Sequence, residues 1–115
     1  MKRVDAVGVE QAWKAFVEAR RRYILDEELP KFLASTPRPR LAIYNAGTDI
    51  LAGDPVGRMA VSAEHVAARD RLVVRTLAER GISTVVVTSG GYTRESHRLI
   101  AQLAIDIVET CDAIT

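Results

Sequence analysis

Two stretches hold the residues whose types and spacing point to chemistry. In IYNAGTDILAGDPVG, residues 43–57, an apolar run gives way to a loop with two carboxylates, Asp49 and Asp54. In TVVVTSGGYTRES, residues 84–96, an apolar run gives way to the pair Gly90 and Gly91 and then to a phenol, Tyr92. Asp and Gly are the ordinary residues of tight turns, so composition alone makes both acids turn residues. Tyr92 differs, because a tyrosine directly after Gly-Gly at a strand end is displayed, and displayed loop residues carry binding and catalysis. The remaining reactive types are weaker candidates. His65 and His97 have no His or Cys at i+3 or i+4 and are not spaced to share a metal. Arg20, Arg21 and Arg22 suit a solvated helix face better than a phosphate patch. Cys111 lies near the chain end with no basic neighbour in the sequence to activate it, and Trp13 and Phe16 are expected in the core.

The elements around these loops decide whether the two stretches meet. Residues 9–35 carry Val9, Trp13, Phe16, Val17, Ile24, Leu25, Leu29, Phe32 and Leu33 at helical spacing. Pro30 lacks the interior amide donor, so it either kinks one helix or opens a second after Asp26. STPRPR, 35–40, reads as a loop. Residues 41–44 and 84–88 are apolar or β-branched runs, the pattern of parallel strands covered on both faces. Between them SAEHVAARDRLVVRTLAERG reads as a helix capped by Ser62 and stopped at Gly81. A last helix over about 94–110 presents Leu99, Ile100, Leu103, Ile107 and Val108. Strand, helix, strand of this length is a right-handed parallel crossover. Both loops then leave the same edge of the sheet, the carboxyl edge, where open parallel sheets bind ligands.

The 115 residues allow one domain at most. Sixteen basic and fifteen acidic residues leave a formal charge of +1, which favours neither nucleic acid nor an anionic membrane as partner. A single cysteine excludes an internal disulfide and fits a reducing, cytoplasmic setting. MKRVDAVGVEQAW has no apolar leader core, and no run is long enough to span a membrane.

LAIYNAGTDILAGDPVGRM followed by VVVTSGGYTRESHRLIAQLAIDIV resembles the C-terminal part of the zinc-dependent histone deacetylase family, which includes bacterial deacetylase-like amidohydrolases. YNAGTDIL with VTSGGY is most similar to its class IV branch. The resemblance covers about residues 26–110, most of this chain but only the last portion of the family domain. It implies an α/β fold of the arginase/deacetylase kind, a three-layer α/β/α fragment with a parallel βαβ core over 40–89. It also implies a zinc-dependent hydrolase of acyl-lysine or a similar linear amide.

By position in the motifs, the resemblance makes Asp49 a zinc ligand and Tyr92 the hydroxyl that polarises the amide carbonyl. A hard anionic ligand and a neutral donor suit those roles. Gly90 and Gly91 would let the backbone pass close to the substrate, Val56 would lie beside the acyl tunnel, and Gly47, Gly53 and Asp54 would shape the loop. The family's Asp-x-His ligands and paired histidines do not occur in the sequence. A catalytic zinc takes about three protein ligands, so the chain is expected to be inactive alone. A complementary chain, or self-association through exposed strand edges, would complete it. Two other readings are a non-catalytic subunit and a small anion- or nucleotide-binding module built on SGGYTRES, where amides at a helix start follow glycines.

Overall fold

The computed structural model describes residues 6–35, 37–57 and 59–114. Helix α1 (Ala6–Tyr23) runs through a π-helical turn (Ile24–Glu28) into α2 (Leu29–Ser35), and β1 (Leu41–Asn45), α3 (Ala63–Glu79), β2 (Ser83–Val87) and α4 (Ser96–Ile114) follow. A second α-helix thus opens after Asp26, with Pro30 in its first turn. The turn before it widens, and Leu29 N–H donates to the Ile24 carbonyl five residues back. The wider turn relieves the contact between a proline ring and the carbonyl four residues earlier.

The crossover forms as its sequence dictates. Ser62 is extended (φ −68°, ψ 154°) and its hydroxyl accepts from His65 N–H at 3.2 Å. Gly81 leaves the helix with φ +67°, a left-handed conformation that suits glycine. Strands β1 and β2 pair in parallel, from Leu41 opposite Ser83 to Asn45 opposite Val87. At the amino edge Arg38 Nη2 donates to the Gly81 carbonyl at 3.0 Å, tying the two strand entries together.

The core lies on one face of this sheet. Val73, Leu77 and Ile82 pack with Leu25, Leu29, Leu33, Ala42 and Tyr44, while Val74 and Leu103 pack with Ala46, Tyr44 and Val86. A third cluster, Val17, Leu51, Val61, Val66 and Leu99, holds α1 against the start of α3 and the loop after β1. The other face of the sheet is apolar and uncovered: Ile43 is 71% exposed, with Leu41, Val85 and Val87 beside it. Covering such a side chain fully contributes about 1.5–3 kcal/mol. The described residues thus form the sheet and one helical layer. The Cα radius of gyration, 16.2 Å, exceeds the roughly 13 Å of a closed domain near this length.

Two expectations about the core need correction. Trp13 and Phe16 are exposed and stack on one another with ring centroids 5.9 Å apart. On α4 the buried positions are Ser96, Leu99, Leu103 and Asp106. Ile100 and Val108 fall outside that stripe and are exposed. The side chain of Val9 lies outside the described residues. No described helix is long and apolar enough to cross a membrane.

Candidate active site at the carboxyl edge

The strand tips set the geometry. Pairing continues one residue past β1, where Ala46 N–H donates to the Val87 carbonyl at 2.7 Å, and Thr48 N–H then donates to the Gly90 carbonyl at 2.6 Å. The loop after β1 therefore runs alongside the loop after β2. Two turns follow, with Leu51 N–H to the Thr48 carbonyl at 3.1 Å and Asp54 N–H to the Leu51 carbonyl at 3.0 Å. The far end closes back where Ala52 N–H meets the Val61 carbonyl and Val61 N–H meets the Ile50 carbonyl.

Asp49, half-buried, sits in a notch made by glycines. A Cβ on Gly90 would lie 2.7 Å from Asp49 Oδ2, and one on Gly47 would lie 3.1 Å from Oδ1. The notch exists because both positions lack side chains. Gly91 has φ +147°, and a Cβ there would overlap the hydroxyls of Thr48 and Ser96, which hydrogen-bond each other in the interior. Gly53 has φ +89° in open space, at the outer bend of the loop.

Asp54 ties the two loops together. Its Oδ1 accepts from the Val56 and Gly57 amides at 2.8 and 2.9 Å, and its Oδ2 accepts from the Tyr92 amide at 3.0 Å. Burial pushes this carboxyl up, but the amides of Gly57, Tyr92 and Val56 outweigh it and hold it below the ordinary value of 3.8. Asp54 is thus ionised and engaged at both oxygens. Tyr92, on this anchored backbone, is 60% exposed, and Val56 is 64% exposed on the same rim.

The acid and the phenol so emerge from adjacent strand tips. The glycine notch, Asp54 and Tyr92 share one small region, as the parallel crossover requires. The histidines do not join them. His65 Nδ1 pairs with Glu18 Oε2 at 2.9 Å, and His97 is exposed on α4. Among the described residues no group of three His, Cys, Asp or Glu side chains converges to hold a metal ion. Asp49 alone does not satisfy a zinc ion, which takes about three protein ligands.

The start of α4 is already engaged. Ser96 N–H donates to the Thr93 carbonyl, and the Arg98 and Leu99 amides donate to the Glu95 carbonyl. The Tyr92 amide, within SGGYTRES, is taken by Asp54 Oδ2 at 3.0 Å.

A polar cluster behind the rim went unforeseen. Tyr44 hydroxyl donates to Asp70 Oδ1 at 2.6 Å, and Arg69 Nε donates to the same oxygen at 3.0 Å. Arg69 Nη1 reaches the Gly47 carbonyl at 3.0 Å. The signal for Asp70 was in the sequence, since α3 buries Val66, Asp70, Val73, Val74 and Leu77, and an acid in an apolar stripe needs a partner.

Fold and rim together define a parallel α/β protein with its candidate site at the carboxyl edge of the sheet. Its affiliation follows from comparison: residues 8–108 match the histone deacetylase domain family, and the chain belongs to that family. It is 47% identical over 77 residues to histone deacetylase 2 of Arabidopsis thaliana, covering 67% of this chain and 20% of the relative. It is 35% identical over 68 residues to an uncharacterized protein of Picosynechococcus sp., covering 59% of this chain and 23% of that protein. The chain thus matches about a fifth of the length of these relatives.

Proposed function

We propose that this chain supplies the carboxyl-edge rim of a histone deacetylase-like amide hydrolase. In this reading Asp49 is one ligand of a zinc ion whose other ligands come from elsewhere. The Tyr92 hydroxyl donates to the carbonyl oxygen of an acyl-lysine or similar linear amide. Charge grows on that oxygen as the carbonyl is attacked, and a pre-aimed neutral donor stabilises it more in the transition state than in the ground state. Val56 borders the acyl chain, and Gly90 and Gly91 let the backbone approach the substrate.

The observation that carries the reading is the Asp54 carboxylate, which holds the loop of Asp49 and the backbone of Tyr92 in one unit. The chain is inactive by itself, and its partner is a chain or segment carrying the rest of the domain. The bare apolar face of the sheet supports such a partner, as do the outer strand edges, which no described strand pairs.

Co-expression with a segment carrying an Asp-x-His pattern and paired histidines tests this. The expected product is a zinc-containing complex with amidase activity. In it Tyr92→Phe lowers turnover by about 100-fold with zinc retained, and Asp49→Ala loses the zinc. A complex indifferent to both substitutions ends the assignment. An isolated chain that is a cooperatively melting monomer refutes the need for a partner.

A further inference from the structure

The loop carrying Asp49 is held on one side by β2 and on the other by α3. From β2 the restraints are backbone bonds, Ala46 to Val87 and Thr48 to Gly90. From α3 the restraint is a side chain, Arg69, whose Nη1 donates to the Gly47 carbonyl at 3.0 Å. Only Thr48 separates Gly47 from Asp49, whose Oδ1 would lie 3.1 Å from a Cβ at Gly47. Arg69 is itself held. Nε and Nη2 lie 3.0 and 2.9 Å from Asp70 Oδ1, the guanidinium carbon stands 5.9 Å from the centre of the Tyr44 ring, and the arginine side chain is only 14% exposed. Asp70 in turn is fixed by the Tyr44 hydroxyl at 2.6 Å. A planar fork gripped at one tooth leaves the other aimed in a fixed direction, which an ammonium group cannot reproduce.

We propose that Arg69, gripped by Asp70 and Tyr44, is a positioning residue that clamps the Gly47 carbonyl and so fixes the Gly47–Thr48 peptide that leads directly into Asp49. Its importance for catalysis rests on the reading of Asp49 as a metal ligand; the clamp itself does not. The alternative role is charge balance, in which Arg69 only neutralises a buried Asp70. The two differ in what lysine can do. Lysine keeps the charge beside Asp70 but cannot bond Asp70 and Gly47 in the same fork.

Hydrogen–deuterium exchange read by mass spectrometry on the full chain separates them, with the segment over 99–110 in α4 as the internal measure of global opening. In both Arg69→Met and Arg69→Lys, amides over 46–51 exchange about tenfold faster while α4 is unchanged. Unchanged exchange over 46–51 in Arg69→Met overturns the proposal. So does restoration by lysine, which would leave charge balance as the whole role. A rise shared equally by α4 in both variants overturns it as well, since Arg69 would then support the fold at large. Asp49→Ala leaves exchange over 46–51 as in the unmodified chain. If the complemented domain carrying Asp49→Ala keeps its zinc, the functional reading fails while the clamp stands.

Discussion

Alanine at Gly90 should separate the integrity of the fold from that of the site. The added Cβ would stand 2.7 Å from Asp49 Oδ2 and 2.8 Å from Cγ, where ordinary contact begins at 3.4 Å. The carboxylate has to withdraw by about 0.7 Å or turn off its rotamer, at a cost of about 0.5–1.5 kcal/mol. Gly90 is outside the positive-φ region, so alanine also restricts the unfolded chain and returns about 0.4–1 kcal/mol. The two effects nearly cancel, and stability should stay within about 1 kcal/mol of the unmodified chain. The same alanine displaces Asp49, and in the proposed reading of Asp49 as a metal ligand a misplacement approaching 1 Å costs on the order of 100-fold in activity.

Gly57→Ala is the contrasting case. Its Cβ would overlap the backbone carbonyl of Asp49, which has no rotamer to escape into, and the expected loss is about 2–3 kcal/mol. Denaturant titration of both variants, in the assembly formed with the complementing segment, measures the stabilities, and amidase turnover and the Asp49 carboxyl resonance report the site. The reasoning fails if Gly90→Ala loses more than about 2 kcal/mol, if it leaves the Asp49 resonance and turnover unmoved, or if Gly57→Ala is neutral.

Further expectations concern the anchors and the bare face. Asp54 has a folded pKa below 3.8, so its contribution is present above that value and is lost as pH falls through the folded one. Acid should therefore release the Tyr92 amide to exchange at low pH, and Asp54→Asn should abolish that step; protection that is flat with pH would contradict it. Tyr44 is shifted the other way, with burial first and the Asp70 hydrogen bond second raising its phenol above 10.0. Its contribution is present below pH 10.0 and fades as pH rises through the folded value. Tyr44→Phe should lose about 1–3 kcal/mol in denaturant titration at neutral pH, together with that alkaline dependence; a neutral result would show Asp70 satisfied by Arg69 alone. Ile43→Lys should change the chain's own stability by less than about 0.5 kcal/mol, since the side chain is 71% exposed. It should abolish self-association and complex formation in sedimentation runs, and unaltered association would show that the face is not used.

What was readable in the sequence follows a physical division. The crossover, the Ser62 cap and the Gly81 stop are local, and each is encoded within a few residues. Turn chemistry at Asp54 was equally local, but its bond to Tyr92 joins residues 38 apart. Tyr44 and Asp70 are 26 apart, and Arg69 and Gly47 are 22 apart. Periodicity placed Trp13 and Phe16 on a helix face without saying whether anything lies over that face. The strands read as covered on both sides because their residues are apolar on both sides, while the described helices cover only one. The π-helical turn escaped notice because proline rules specify the obstacle and not how the backbone goes around it.

The three bonds to Asp54 carry a consequence for how such a rim diverges. The amides of Val56 and Tyr92 answer to one carboxylate, so a wider mouth at position 56 also swings the tyrosine. In the proposed deacetylase reading, room for bulkier acyl groups and the aim of the hydroxyl are therefore mechanically coupled. Variants selected for a larger cargo should accumulate compensating changes within 53–57 and leave the aspartate itself in place.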